Sequence, residues 1–199
     1  INVKNKIFYF DTLYSTNSFL SNILASISIL FVLNLDLKEM NKMYLKFFIP
    51  DGRGDIKIIK KFKKKFKFID ESYNANPLSM KSAINNMNSY HYGKKLRKIA
   101  FLGDMLELGK KSRKFHRNLS LEINRSNIDK IFVYGKYIRE TFNHLTVNKR
   151  GKIFKNIKDA NVHFSKFLHN NDILMVKGSN ATGLNQFSKN IKKGQIGVI

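Results

Sequence analysis

Short apolar runs alternate with longer amphipathic stretches through most of the chain, and this alternation predicts its secondary structure. The short runs have the length of buried strands, whereas the longer stretches repeat their apolar residues at the spacing of a helix. Strands and helices that follow one another in this way predict an α/β fold, with a mostly parallel sheet and helices on both faces. The predicted strands are 98–105, 130–135, 152–156 and 172–179, and the predicted helices begin near 76, 112, 138, 159 and 183.

The first part of the chain has a different pattern. An apolar run at 7–10 predicts a short strand, the uncharged run 17–35 predicts a helix, and 37–48 predicts a second, amphipathic helix. The uncharged run is barely long enough to cross a bilayer and contains several Ser and Asn residues. We therefore expect a buried core helix and no membrane span. The Pro- and Gly-containing turn at 50–54 predicts a hinge between two domains.

Lysine and apolar residues nearly alternate over 56–70. This pattern predicts a β-hairpin with one wet face, and it places Lys63, Lys64 and Lys65 at or near the turn. Two interpretations of the lysines are open. They can form a patch that attracts phosphate, or they can protect a solvated sheet edge from aggregation.

Composition excludes some classes of site. The chain has 199 residues, no cysteine and a formal net charge of +23. Disulfides and cysteine-bound metals are therefore excluded, and a reducing cytoplasm fits. The charge suits either a basic nucleic-acid-binding module or compositional drift combined with an anionic small substrate. Because no helix-turn-helix, zinc-finger or RNP-like motif is present, we expect no nucleic-acid partner. The chain begins at Ile1 rather than Met, so we expect a fragment of a longer protein.

Three polar motifs lie where a predicted strand gives way to a predicted helix. They are DESYNANP (70–77), GDMLELG (103–109) and VKGSN (176–180). Open α/β sheets bind ligands at the carboxyl ends of their strands. DESYNANP combines carboxylates, a hydroxyl, a phenol and carboxamides within eight residues, which is unusual for a surface turn. The motifs therefore predict a functional site at this edge of the sheet.

With these motifs in this order, the chain resembles the Mur ligases, ATP-dependent enzymes that build the peptide of peptidoglycan. The resemblance covers nearly the whole chain. It implies that 1–50 are a remnant of an α/β ATPase domain and that 51–199 form a Rossmann-like C-terminal domain. The sequences of the three motifs are similar to those of the family members that join D-alanyl-D-alanine to UDP-N-acetylmuramoyl-tripeptide. The resemblance also implies a cytoplasmic monomer that uses ATP and Mg²⁺.

The reaction that the resemblance implies has two steps. A peptide carboxylate attacks the γ-phosphate of ATP to give an acyl phosphate, and the amine of D-alanyl-D-alanine then attacks that acyl phosphate. Both steps concentrate negative charge, so cationic groups and N–H donors are needed around the phosphates. The sequence assigns no residue with certainty to catalysis itself.

Five residues match ATP-binding positions of the family. Arg53 matches a hinge arginine whose planar fork can hold two phosphate oxygens, although a solvent-facing turn arginine is the alternative. Glu71 matches the acidic position that holds the ribose, where Asp is usual. Asn74 and Asn76 match a polar pair, and a helix cap is the alternative for Asn76. Asn22 matches an adenine-contacting asparagine, but the chain lacks the family's second asparagine three residues earlier.

The resemblance implies that four residues bind substrate. Asp104 can orient the incoming dipeptide or cap the turn that follows it. Lys177 and Ser179 can bind the dipeptide carboxylate or a phosphate, or can simply connect a strand to a helix. Tyr73 can pack at a domain interface or stack near the nucleotide. His116 also matches the family pattern, and for it we expect a structural role.

Some parts of the family's machinery do not occur in the sequence. There is no GxxxxGK[ST] phosphate loop, and the carboxylates and modified lysine that hold magnesium in the family are also missing. We therefore expect Mg²⁺ to be held mainly by an upstream part, no metal site within this chain, and no ligase turnover by the chain alone. A truncated ligase that keeps the fold without activity is a further interpretation.

Overall fold

The computed structural model describes residues 2–3, 5–12, 17–37, 43–46, 49–90 and 96–198. The chain divides into two compact units, Ile1–Ile49 and Pro50–Ile199. Each unit has its own cluster of buried apolar residues.

The first unit contains strands β1 (Asn2–Val3) and β2 (Lys6–Ile7), which pair antiparallel, and helix α1 (Asn17–Val32). The predicted helix is confirmed and ends three residues early, whereas only the first residue of the predicted strand 7–10 is in a strand. Most of the second predicted helix (37–48) lies outside the described residues. In the described part of the chain, no helix has the length and apolar character needed to cross a membrane.

Helix α1 is only partly buried within its unit. Ile27 is buried and packs in a cluster with Tyr44, whose hydroxyl lies 2.7 Å from the Ser26 hydroxyl. Ile29 and Val32 are exposed instead. The expected burial of the whole helix therefore does not occur within these residues.

The second unit is built on a seven-stranded sheet with the order β7-β6-β5-β8-β4-β3-β9. Strands β4 to β8 are parallel to one another, and β3 pairs antiparallel with both β4 and β9. This mixed, mostly parallel sheet confirms the predicted fold class. The strands are β3 (Asp55–Lys61), β4 (Lys64–Glu71), β5 (Lys98–Gly103), β6 (Lys130–Tyr134), β7 (Arg150–Phe154), β8 (Ile173–Lys177) and β9 (Gln195–Val198).

Helices cover both faces of this sheet, as predicted. One core cluster includes buried residues of α2, α3 and α4, and a second, rich in phenylalanine, includes those of α5 and α6. Because both faces are covered, β5 and β8 are fully buried, and they are apolar except for Lys98 at the start of β5 and Lys177 at the end of β8. The helices are α2 (Pro77–Ser89), α3 (Ser112–Arg125), α4 (Ile138–Asn143), α5 (Ile157–Phe167) and α6 (Leu184–Lys192).

The predicted hairpin is formed by β3 and β4, and its two-residue turn is Phe62–Lys63. Two of its lysines serve the protein itself. Lys64 Nζ donates to the carbonyl oxygens of Ser165 and Lys166 at the end of α5, both at 3.2 Å, and Lys61 donates to a carbonyl of α6. Cations at helix C-termini satisfy free carbonyls and complement the helix dipole. The predicted edge protection is therefore wrong for this part of the pattern: β9 covers β3, and these two lysines bind the ends of helices instead.

Candidate active site

The strand order creates a topological switch point at β8. The chain passes from β4 to β5, continues outward through β6 and β7, and returns to insert β8 between β4 and β5. The carboxyl ends of β4, β8 and β5 therefore meet at one edge of the sheet, where ligands of open α/β sheets bind. The three sequence motifs begin within or directly after these three strands, so the fold brings them together.

A buried ion pair joins the ends of β4 and β8. Glu71 and Lys177 are direct partners in the parallel register, and Lys177 Nζ lies 3.0 Å from Glu71 Oε2. The same ammonium donates to the carbonyl oxygen of Asn74 at 3.1 Å. The side chain of Lys177 is 2% exposed and that of Glu71 is 20% exposed. Lys177 is therefore directed at groups of the protein itself, and it fixes the position of the Glu71 carboxylate.

The turn at 50–54, which carries Arg53, packs directly against the DESYNANP segment (70–77). The Arg53 guanidinium carbon lies 4.2 Å from the centre of the Tyr73 ring, in cation–π geometry. Gly52 and Gly54 both have positive φ, and a side chain at either would be crowded. A Cβ at Gly52 would lie 3.0 Å from Tyr73 Cβ, and one at Gly54 would lie 2.9 Å from Glu71 Oε1. The two glycines therefore allow the guanidinium and the carboxylate to share one surface.

Asp70 braces the turn from beneath. Its buried carboxylate accepts hydrogen bonds from the Ser72 hydroxyl at 2.6 Å and the Ser72 backbone N–H at 3.1 Å. Lys192, at the end of α6, lies 2.9 Å from Asp70 and 3.2 Å from the exposed Asp51. The hydrogen bond from Lys57, supported by Lys192 and opposed by partial burial, lowers the pKa of Asp51. Lys57 and Lys192 thus tie the turn at 50–54 to the rest of the unit, and Asp70 fixes the start of the loop after β4.

The two asparagines have separate roles in this geometry. Asn76 caps α2: its side-chain oxygen accepts from the Ser79 N–H at 2.8 Å, and its own N–H donates to the Ser79 hydroxyl at 3.0 Å. This capping box favours the structural alternative for Asn76. The exposed side chain of Asn74 accepts from the Ala75 N–H at 2.8 Å and lies in the loop next to Glu71.

Asp104, directly after β5, is occupied by backbone donors from the turn before α4. Its two oxygens accept from the N–H groups of Lys136, Tyr137 and Ile138 at 2.7–2.9 Å. A Cβ at Gly135 would lie only 2.5 Å from the Asp104 carboxyl carbon, so a glycine is required there. The carboxylate is 6% exposed. It therefore anchors the turn after β6, which lies far along the chain, and not the turn that follows it in sequence.

Ser179 links the three central strand ends. Its hydroxyl accepts from the Leu106 N–H at 3.0 Å and donates to the Ala75 carbonyl at 3.3 Å, while its own N–H donates to the Asp104 carbonyl at 3.0 Å. The side chain is 7% exposed. Ser179 therefore shapes the loops of the site from within.

His116 has the structural role that was expected for it. Its Nε2 accepts from the Met105 N–H at 2.9 Å, and its Nδ1 lies 2.7 Å from the Ser112 carbonyl oxygen, to which it donates as the neutral ring. Burial lowers the pKa of His116, although the Ser112 carbonyl and the nearby Asp104 oppose this shift. The neutral imidazole therefore holds the loop after β5 in place.

A concave region lies on the other side of β8 from this cluster, over the carboxyl ends of β5, β6 and β7. This cleft, of about 470 Å³, has Lys136, Arg139 and Lys155 at its rim and includes Phe154 and Leu106 in its wall. We name it the cationic cleft. Its three cations were not predicted. Lys136 and Arg139 follow the predicted strand 130–135 and Lys155 lies near the end of the predicted strand 152–156, and this position is the signal that could have found them.

The predicted site residues are thus distributed over four places. Arg53, Glu71, Tyr73, Asn74 and Lys177 form one cluster at the ends of β4 and β8. Asp104 and Ser179 hold the neighbouring loops, and Asn76 begins α2. Asn22 is exposed in α1 of the first unit. Among the residues that the structure describes, no group of three or more His, Asp or Glu side chains is placed to hold a metal ion.

Sequence comparison identifies relatives for most of the chain. The ligase named UDP-N-acetylmuramoyl-tripeptide–D-alanyl-D-alanine ligase from Rickettsia prowazekii (strain Madrid E) is 25% identical over 184 residues, which cover 92% of this chain and 39% of the relative. The protein of the same name from Bacillus subtilis (strain 168) is 46% identical over 69 residues, which cover 34% of this chain and 14% of the relative. The chain thus spans at most about two fifths of these relatives.

Solved structures share the fold. The MurF ligase of Thermotoga maritima in complex with ADP aligns with a TM-score of 0.72 at 20% identity and covers 91% of this chain and 39% of that one. A MurF structure from Acinetobacter baumannii aligns with a TM-score of 0.74 at 20% identity and covers 92% of this chain and 40% of that one. At this level of identity, the likeness concerns the fold alone.

The family match coincides with the sheet that carries the site. The family model described as Mur ligase, glutamate ligase domain, matches residues 56–180, from the start of β3 to the loop after β8. This segment includes all three polar motifs and every residue of the cationic cleft's rim. The chain therefore belongs to the Mur ligase family.

Proposed function

We propose that this chain supplies the C-terminal portion of an ATP-dependent ligase that joins D-alanyl-D-alanine to UDP-N-acetylmuramoyl-tripeptide in peptidoglycan synthesis. The observation that carries the proposal is the cluster at the switch point, where an exposed guanidinium and an anchored carboxylate share one surface. The names of the relatives support the choice of substrates. A cytoplasmic monomer is part of the same proposal.

The cluster suits the sugar–phosphate part of ATP. Glu71 Oε2 is engaged by Lys177, whereas Oε1 faces the turn at Gly54 and can accept from a ribose hydroxyl. Arg53 is exposed and carries a fork of N–H donors, which matches phosphate oxygens. When bound, ATP supplies the phosphoryl group that activates the peptide carboxylate. Asn22 is proposed to contact the adenine, as the resemblance implies.

The residues of this chain would orient the reacting groups and not take part in bond making. Arg53 neutralises the negative charge that gathers as the peptide carboxylate attacks the γ-phosphate and ADP leaves. Because the attacking group belongs to the substrate, this stabilisation of charge is the largest contribution expected of these residues. Asn74 offers a carboxamide next to the same surface, and Lys177 and Ser179 hold the loops at fixed positions. Among the described residues, no three or more His, Asp or Glu side chains are grouped to hold a metal ion, and no step is assigned to Mg²⁺.

A chimaera tests this proposal. Residues 50–199 would replace the corresponding part of the Rickettsia prowazekii relative, whose match covers 92% of this chain. We expect phosphate release from ATP that depends on D-alanyl-D-alanine. In the chimaera, Arg53→Gln should lower this rate about a hundredfold, because one charged donor to a phosphate is lost. The matched change Lys166→Gln, at an exposed lysine on the opposite edge of the sheet, should leave it unchanged.

The proposal would be contradicted if a folded chimaera released phosphate at the same rate with and without the dipeptide. It would also be contradicted if Arg53→Gln left this rate unchanged. The chain by itself should show no turnover. Clear dipeptide-dependent phosphate release from the 199-residue protein alone would contradict that second expectation.

A further inference from the structure

The cationic cleft carries positive charge that the protein does not neutralise. Within the fully described stretch 96–198, Lys136, Arg139 and Lys155 are all exposed, and none of them forms an ion pair. Arg139 makes one hydrogen bond, from Nε to the Gly135 carbonyl at 3.2 Å, which leaves its terminal nitrogens available. Three cations around one concavity create a local potential that attracts an anionic group.

The acid in the cleft does not cancel this charge. Asp104 is the acidic residue in its lining, and both of its oxygens already accept backbone N–H groups. The carboxylate is buried beneath the turn, while the three cations lie at the rim. A ligand that enters the cleft therefore meets the three cations first. Its anionic end can bind these cations, whereas a cationic end finds no available carboxylate in the lining.

The rest of the cleft suits a small ligand with little side chain. Its wall combines the buried ring of Phe154 and the partly buried Leu106 with Ala181 and Thr182 of the loop after β8. A volume of about 470 Å³ falls within the range of roughly 300–1,000 Å³ that small-molecule sites occupy. Methyl-sized groups can pack against this wall while one charged end reaches the rim.

Position along the sheet edge gives the ligand a direction. The cluster of Arg53 and Glu71 lies beyond β8, at the end of β4, whereas the cations lie toward β6 and β7. In a ligation, the amine of the incoming dipeptide must face the activated carboxylate, on the ATP side. Its unreactive C-terminal carboxylate must then point away from that side, toward the cationic rim.

From these observations we infer that Lys136, Arg139 and Lys155 determine specificity for the terminal carboxylate of the incoming dipeptide. The inference rests on the proposed function, since it assumes that the dipeptide is the ligand of this edge. Arg139 can hold both carboxylate oxygens, and the two lysines add charge without fixed geometry. The three residues position the substrate and take no part in the chemistry.

Nuclear magnetic resonance of the ¹⁵N-labelled 199-residue chain tests the inference. In the presence of ADP, D-alanyl-D-alanine should shift the amide signals of residues 135–139 and 181–183. Its C-terminal amide, which has the same shape without the negative charge, should bind about tenfold more weakly, because a charged hydrogen-bonded contact is lost. Arg139→Gln and Lys155→Gln should each weaken binding of the dipeptide by a similar factor and leave binding of the amide unchanged. Lys166→Gln should alter neither.

The outcomes separate the inference from the proposed function. Suppose the dipeptide and its amide bind equally well, with shifts near Asn74 and Ser179 but none at 135–139. The inference then falls and the proposed function stands. If the dipeptide shifts no signal of the chain at any concentration, the inference falls, and the proposed function is decided by the chimaera. If acetate binds as tightly as the dipeptide, the cleft is a general anion site and the inference is wrong.

Discussion

The two sides of β8 use cationic side chains in opposite ways. On the side of β4, Lys177 is buried, paired with Glu71 and bonded to a backbone carbonyl. On the side of β5 and β6, Lys136 and Arg139 are exposed, with no ion pair in the described structure around them. A buried charge must be satisfied by the protein itself, because its desolvation is costly. An exposed one is free to meet a ligand. Residue type alone therefore does not tell a binding lysine from a structural one.

The largest expected effect comes from breaking the buried pair. Glu71→Gln leaves the ammonium of Lys177 without its counter-charge in a buried position, which should lower the free energy of unfolding by about 3 kcal/mol. Urea unfolding followed by circular dichroism measures the change. In the double variant Glu71→Gln/Lys177→Met, neither position carries an unpaired buried charge, so most of this loss should be recovered.

The surface pair Lys81–Glu122 provides a control for this cycle. Its nitrogen and oxygen lie 2.8 Å apart, but the side chains are 53% and 28% exposed. Glu122→Gln should therefore cost less than about 0.5 kcal/mol. Equal losses for Glu71→Gln and Glu122→Gln would show that burial does not govern the first pair, and the comparison would fail.

Asp104→Asn should have the next largest effect. The carboxamide can replace only one of the two accepting oxygens, so at least one backbone N–H of the turn before α4 loses its acceptor. The expected cost is about 2 kcal/mol of unfolding free energy, with faster hydrogen exchange at Lys136–Ile138. If Asp104 served the dipeptide alone, stability and exchange would both be unchanged.

Much of the architecture could be predicted because the relevant signals are local. The helix cap at Asn76, the hairpin and the alternation of strands and helices all depend on neighbours in sequence. Strand β9 was missed, because four residues with a central glycine give no periodic signal and the strand is defined by its distant partner β3.

The candidate site was harder to predict for the same reason. The partner of Lys177 lies more than a hundred residues away in the chain, and the donors to Asp104 lie in the loop after β6. The three cations of the cleft could not be distinguished from other basic residues, because the sequence contains 37 Lys and Arg residues. Sequence therefore indicated which strand ends matter, whereas the distinction between structural and available side chains required the fold.

A smaller, pH-dependent effect should follow from His116. Because burial lowers its pKa in the folded state, the unfolded chain binds the proton more readily. Stability from this residue is therefore present above the unfolded pKa of about 6.5 and is lost as the pH falls below it. Burial also lowers the pKa of His163, with Lys152 adding to the shift, so the two act in the same direction. Unfolding curves between pH 7.5 and about 5 should show this loss, and His116→Gln should reduce it; an unchanged slope would mean that His116 does not contribute.

The smallest expected effect on stability sharpens the comparison most. Arg139→Gln and Lys155→Gln should each change the free energy of unfolding by less than about 0.5 kcal/mol, because exposed cations without ion pairs contribute little to folding. Removing one positive charge from a chain of net charge +23 can even stabilise it slightly by reducing self-repulsion. Urea unfolding at low and high salt separates these terms, since screening weakens the repulsion. A loss as large as that of Glu71→Gln would mean that the cleft cations hold the fold together, as Lys177 does. A change near zero, beside a weakened dipeptide, would mean that they are kept for the ligand.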